Sequence, residues 1–176
     1  DYNLGDDGNT KTLVDSGYNV YDQQGHLVDQ NEYKADGKPK WKCIYKYDDR
    51  GRATLWDFRI YRSNDISTTT FKYDDKGNKV EENRADSTGK SLGRTEYKYD
   101  INGRETEEKE FSADGKLTNV RTYQYDNRGF QVAWVERNDT GRLQWKLTAA
   151  YDDYGNDTAG ASYHNDTASD SRWARF

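Results

Sequence analysis

Apolar and polar positions alternate along the chain in segments of about nine residues, rich in Val, Thr and Tyr and broken by proline only at Pro39. Period-two alternation in short, Pro-poor segments predicts β-strands. Each segment ends in a turn signal, and one signal recurs without drift every 26 residues. It is Tyr-Asp-x-x-Gly, at Tyr21, Asp22 and Gly25; Tyr47, Asp48 and Gly51; Tyr73, Asp74 and Gly77; Tyr99, Asp100 and Gly103; Tyr125, Asp126 and Gly129; and Tyr151, Asp152 and Gly155. Such a period marks a repeat architecture. A second turn glycine follows in four units (Gly37, Gly89, Gly115, Gly141), while Ser63 and Thr167 occupy that position in the second and last. Two strands per unit and six units predict an all-β antiparallel meander of about twelve strands. The expected form is an extended, twisted or curled sheet, at least partly single-layer. One domain is expected over 1–176, with an N-terminal cap (1–18), regular repeats (19–160) and an irregular C-terminal strand or cap (161–176).

The repeated residues have a local physical role. An Asp opening the turn accepts a hydrogen bond from the N–H two residues on, and the Gly supplies a positive φ. That combination predicts a type I turn followed by a G1 bulge. The tyrosine ends the incoming strand, usually with another ring two residues earlier: Tyr45/Tyr47, Phe71/Tyr73, Tyr97/Tyr99 and Tyr123/Tyr125. Residues two apart share a face, so a ladder of rings along one side is expected. Asn19 and Ala149 replace the earlier ring in the terminal units, as capping repeats commonly do.

Composition sharpens this picture. Leu, Ile, Val and Phe supply only 24 of 176 residues, but aromatics reach 14% and the net charge is only −5. Large amphipathic rings replace an aliphatic core. Glu105–Glu110 puts charge on both faces of one strand, with Arg94, Lys98 and Arg121 as available counter-ions. Trp41, Trp56, Phe58, Trp134 and Trp145 lie on either side of this charged centre. They recur less regularly than the scaffold tyrosines and are the candidate binding residues. Because each G1 bulge shifts pairing parity, the pattern leaves open which Trp share the tyrosine face.

Candidate chemistry is sparse. Cys43 is the lone cysteine, which removes internal disulfides and Cys-rich zinc sites. His26 and His164 sit in no catalytic or metal-ligand spacing and are expected as surface or turn residues. The Asn138-Asp139-Thr140-Gly141 turn offers oxygens, but no EF-hand loop surrounds it. No catalytic residue, metal or cofactor is expected, and the domain is expected to be non-enzymatic. The mildly acidic balance argues against nucleic acid. No run of about 20 apolar residues is present to span a membrane. The absence of Met is expected either of a processed product, its leader removed, or of a piece excised from a longer chain.

The run Tyr45-Lys46-Tyr47-Asp48-Asp49-Arg50-Gly51-Arg52, matched by Tyr97-Lys98-Tyr99-Asp100-Ile101-Asn102-Gly103-Arg104, resembles the Rhs/YD-repeat family over residues 19–160. The resemblance implies a β-hairpin array at the cell surface or exported. Large members wind such arrays into a hollow shell or use them to contact sugars and proteins. This period is longer than the family's usual unit, and the chain more closely resembles short exported YD-like proteins and lipoproteins of Gram-negative gut anaerobes. It implies an extracellular, outer-surface or periplasmic setting, with any lipid anchor outside this stretch. Ser87, Thr158 and Thr167 resemble O-glycosylation sites of such bacteria, or are turn residues of the same composition. The expected function is binding of carbohydrate or a cell-envelope or extracellular protein by the aromatic face. The alternative is a structural spacer or a fragment of a larger Rhs-like assembly, its rings merely covering one another.

Overall fold

The computed structural model describes residues 2–4, 11–13, 15–165 and 167–174, with side chains over 15–165. Two short strands, β1 (Tyr2–Leu4) and β2 (Lys11–Leu13), pair with each other. The remaining strands are β3 (Asp15–Tyr21), β4 (Leu27–Lys34), β5 (Pro39–Tyr47), β6 (Ala53–Ile60), β7 (Asp65–Tyr73), β8 (Lys79–Asp86) and β9 (Ser91–Tyr99). They continue as β10 (Glu105–Phe111), β11 (Leu117–Tyr125), β12 (Gln131–Asn138), β13 (Leu143–Tyr151), β14 (Asp157–His164) and β15 (Thr167–Ala174). These thirteen pair in sequence order, an all-β meander of the expected kind. Twelve flank the six Tyr-Asp turns, and β15 is added by the second turn of the last unit. No helix long and apolar enough to cross a membrane occurs among the described residues.

The chain divides into two compact units, Asp1–Lys72 with Glu82–Leu92, and Tyr73–Glu81 with Gly93–Phe176. Neither has an aliphatic core among the described residues. Among the described residues, the buried hydrophobic side chains are Cys43 and Phe71 in the first unit and Ala133 in the second, and none is fully buried. Strand pairing and half-buried rings carry the packing that a core supplies elsewhere.

The turns have the predicted chemistry. At the first, Gly25 N–H donates to Asp22 O and Asp22 N–H to His26 O, at 3.1 and 2.9 Å. Gly25 takes φ +87°, the left-handed value that a type I turn with G1 bulge requires. The Asp22 carboxylate accepts from the N–H groups of Gln24 and His26. Where the second turn lacks its glycine, asparagine takes over: Asn64 and Asn165 adopt φ of 55° and 50°. Asn tolerates this region better than other residues with a Cβ.

A second irregularity follows five of the Tyr-Asp turns. Val20 pairs with Asp29 but Tyr21 with Leu27, leaving Val28 as an extra residue on β4. Thr54, Thr106, Val132 and Thr158 are the corresponding extra residues on later strands. All five are β-branched, the type that favours extended backbone. Thr106 and Thr158 also donate their hydroxyls to Lys98 O and Ala150 O, at 3.2 and 3.1 Å. These bulges set which side chains share a face.

Candidate functional site

In the first unit, cross-strand pairing places Trp41 opposite Ile60, Cys43 opposite Phe58 and Tyr45 opposite Trp56. Opposed residues share a face, so Trp41, Trp56 and Phe58 lie on the tyrosine face. Trp41 meets Phe58 at 5.9 Å between centroids, Trp56 meets Tyr45 at 6.2 Å, and Trp56 meets Phe71 edge-on at 4.6 Å. Tilted and edge-on arrangements at these distances are favourable for rings. Trp56 nevertheless remains 43% exposed.

Polar groups fix the rings. Trp41 Nε1 donates to Glu32 Oε2 at 2.6 Å, and Glu32 also accepts from Lys40, which reaches Asp15 at 3.0 Å. The Lys40 hydrogen bond, then that of Trp41, holds the Glu32 carboxyl below its ordinary range. Tyr45 donates to Gln30 Oε1 at 3.1 Å, and burial pushes its hydroxyl pKa up to about 12. Cys43 is buried beside this ring, and burial likewise raises its thiol, leaving it inert at neutral pH.

The second unit repeats the arrangement with more charge. Trp134 lies opposite Tyr123 and Leu147, and Trp145 opposite Glu136 and His164. Trp145 contacts the His164 ring at 4.3 Å and is 42% exposed. Trp134 and Trp145 thus lie on the tyrosine face of this unit. Beside them Arg121 pairs with Glu136, Glu108 and Glu110, at 2.7, 2.9 and 3.2 Å. Tyr123 donates to Glu108 at 3.2 Å. Burial raises the Glu108 carboxyl despite the neighbouring Arg121, because one guanidinium is shared among three acids. Lys98 pairs with Glu107 on the other face, as expected, whereas Arg94 pairs with Glu96.

The repeat tyrosines make an interaction that turn patterns alone leave unseen. Tyr47, Tyr99, Tyr125 and Tyr151 donate to the carbonyls of Leu27, Lys79, Glu105 and Gln131, each 20 residues earlier, at 2.8–3.1 Å. In three repeats the residue just after the turn glycine packs on the next repeat's tyrosine: His26 on Tyr47, Arg104 on Tyr125 and Phe130 on Tyr151. Clefts open between successive turns, about 600 Å³ beside Asp22, His26, Tyr45 and Tyr47 and about 480 Å³ beside Asp74, Asn78, Tyr97 and Tyr99. His26 is thus a turn histidine with a packing role. No group of acids, His and Cys suited to a metal occurs among the described residues.

The modification candidates separate. Ser87 is exposed in the turn after β8, but Thr158 is half-buried with its hydroxyl bonded to Ala150. The Thr167 side chain lies outside the described residues.

Fold and turns define the class: an all-β repeat protein of 26-residue hairpin units. No protein-family model and no curated protein matches the chain. Among solved structures it is similar to a porin-like protein from Bacteroides uniformis ATCC 8492, with 14% identity, TM-score 0.44, and coverage of 88% of this chain and 56% of that one. The chain therefore spans little over half that protein's length. A protein of unknown function from Bacteroides fragilis NCTC 9343 gives 15% identity, TM-score 0.32, and coverage of 73% and 86%. The TcdB2-TccC3-Cdc42 complex gives 15%, 0.24, and 89% and 12%.

Proposed function

We propose that this is an exported, non-enzymatic, Rhs/YD-like repeat domain that binds carbohydrate at the cell surface through its aromatic face. The observation that carries the proposal is the common facing of Trp41, Trp56 and Phe58 in one unit and of Trp134 and Trp145 in the other. Half-exposed rings flanked by Gln30, Glu32, Glu108 and Arg121 offer an apolar platform with hydrogen-bonding groups at its margin. A sugar presents the complementary pair of surfaces, an apolar C–H face and an equatorial rim of hydroxyls. Cell-envelope or extracellular protein is the competing partner for the same face. The motif resemblance of Tyr45–Arg52 and Tyr97–Arg104 supports the exported setting.

A glycan array probed with the whole chain and with Trp56→Ala and Trp145→Ala tests the proposal. Binding to a restricted set of glycans, weakened about tenfold or more in either variant, is expected. Signal indifferent to both glycan structure and the Trp substitutions contradicts it. Trp-dependent binding to envelope proteins alone transfers the face to a protein partner. A second reading, a structural spacer or fragment of a larger Rhs-like assembly, draws support from the contact of Trp56 with Phe71, which a purely scaffolding ring would also make.

A further inference from the structure

At the end of the first unit's aromatic face, away from the Tyr-Asp turns, lies a cleft of about 340 Å³ lined by Lys34, Lys40, Trp41, Ile60 and Arg62. Its composition differs from that of the clefts between the turns, which carry paired aspartates. Its floor is apolar, formed by Trp41 and the exposed Ile60. Its charged lining is wholly cationic, in a chain with net charge −5. Lys40 is neutralised by Glu32 and Asp15. Lys34 and Arg62 are exposed, and their side chains make no hydrogen bond or ion pair among the described residues. Nearby cations are matched: Lys38 by Asp36, Lys42 by Asp29 and Arg59 by Asp57.

We infer that this cleft is a subsite for an acidic sugar residue, a uronate or a sulfated pyranose, stacked on Trp41 and Ile60 with its anionic group met by Lys34 and Arg62. The Trp41 indole is held in place through its N–H by Glu32, leaving the ring as a fixed platform. A flat apolar floor with cations at the margin is complementary to a ring bearing one anionic substituent. The volume lies in the range of ordinary small-ligand sites. The inference rests on the carbohydrate reading above and adds the charge of the residue recognised.

The test is calorimetric titration of the whole chain with an oligogalacturonate hexasaccharide and its fully methyl-esterified counterpart, which keeps the rings and removes the charge. A κ-carrageenan hexasaccharide, which bears sulfate and no carboxylate, is titrated beside its desulfated counterpart to separate the two anionic chemistries, and poly-glutamate serves as acidic peptide. The expected result is about tenfold tighter binding of an acidic form than of its uncharged or desulfated counterpart, shrinking as salt rises. In Lys34→Gln/Arg62→Gln the preference falls to about twofold or less while binding of the uncharged form persists. Both positions are exposed, so these substitutions leave the fold intact. Equal affinity within both saccharide pairs, or a preference surviving the double substitution, overturns the subsite but spares the carbohydrate reading. Poly-glutamate bound as tightly as the acidic sugar assigns the cleft to a protein partner and overturns it. Binding of no saccharide at all removes both.

Discussion

The His26 ring stacks on Tyr47, with centroids 4.7 Å apart and planes 23° from parallel, while its Nδ1 lies 3.0 Å from the Asp22 carboxylate. One side chain therefore closes its own turn and covers the next unit's tyrosine. Arg104 does the same, bonding Asp100 through Nε at 2.7 Å and lying over Tyr125 at 4.8 Å. Phe130 keeps only the second half, stacking on Tyr151 at 5.0 Å. In these three places adjacent repeats are stapled by a residue that varies, at a position that does not.

This staple gives some turn glycines a second constraint. Gly115 and Gly155 have nearly equal φ, +81° and +84°, but a Cβ at Gly115 meets open space while one at Gly155 lies 2.7 Å from Phe130 Cζ. Gly115→Ala is expected to cost about 1–2 kcal/mol of backbone strain. Gly155→Ala should cost about 1 kcal/mol or more beyond that. Urea unfolding of both variants reads the difference, and Phe130→Ala should largely abolish it. Equal costs would mean that Phe130 yields freely.

The tyrosine hydroxyls form the second link between units. Tyr125→Phe, which deletes the bond to Glu105 O, should destabilise by about 0.5–1.5 kcal/mol. Tyr21 is 57% exposed, with only a 3.4 Å contact from Asn19 at its hydroxyl among the described residues. Tyr21→Phe should be silent in thermal denaturation, and a comparable loss there would assign the Tyr125 effect to something other than the inter-unit bond.

Removing Arg121 leaves Glu108, Glu110 and Glu136 together without their shared cation. Arg121→Met should cost about 1–3 kcal/mol at pH 7, moderated by the partial exposure of the cluster. Burial already raises the Glu108 carboxyl, so the folded state holds its proton more tightly than the unfolded state. Its penalty is therefore absent at low pH and develops as pH rises through the ordinary glutamate value of 4.5. Stability curves at pH 4 and pH 7 should converge in acid, and Glu108→Gln should rescue part of the loss at pH 7. A pH-independent loss would point to packing instead.

The turn aspartates act in the opposite direction. Hydrogen bonds from the Arg52 side chain and backbone hold the Asp48 carboxyl below its ordinary value of 3.8. Asp74 and Asp152 are lowered chiefly by side-chain bonds from Asn78 and Asn156. A depressed carboxyl contributes stability that is complete above its unfolded value and lost as pH falls through its folded one. Unfolding midpoints should therefore drop steeply below about pH 4, and Asp48→Asn should flatten that slope. An unchanged acid slope would remove these turns from the account.

Turn geometry was legible because Asp-x-x-Gly carries its conformation in two residue types, and Gly25 and its counterparts take the φ values that the motif demands. The face shared by the Trp residues was not. Five of the Tyr-Asp turns are followed by an extra residue such as Thr54 or Val132, and one extra residue reverses the parity of everything after it. The β-branched residue recurring seven positions after each tyrosine was the available signal. The Tyr125 bond to Glu105 O was hidden for another reason: a backbone acceptor places no demand on the residue that carries it. The same holds for the subsite cations, since Lys34 and Arg62 meet only through the pairing of β4, β5 and β6.

The proposed function requires the half-exposed indoles of the tyrosine face to contact carbohydrate. The chain has five Trp, so an NMR spectrum of its indole N–H groups reports on the face directly. Titration with a glycan selected by the array should shift the Trp56 or Trp145 signal in a saturable way, together with its neighbour Trp41 or Trp134. The exposed turn-tip residues Ile101 and Tyr154 should remain unmoved. Saturable shifts confined to those tips, with every indole signal unchanged, would contradict the account.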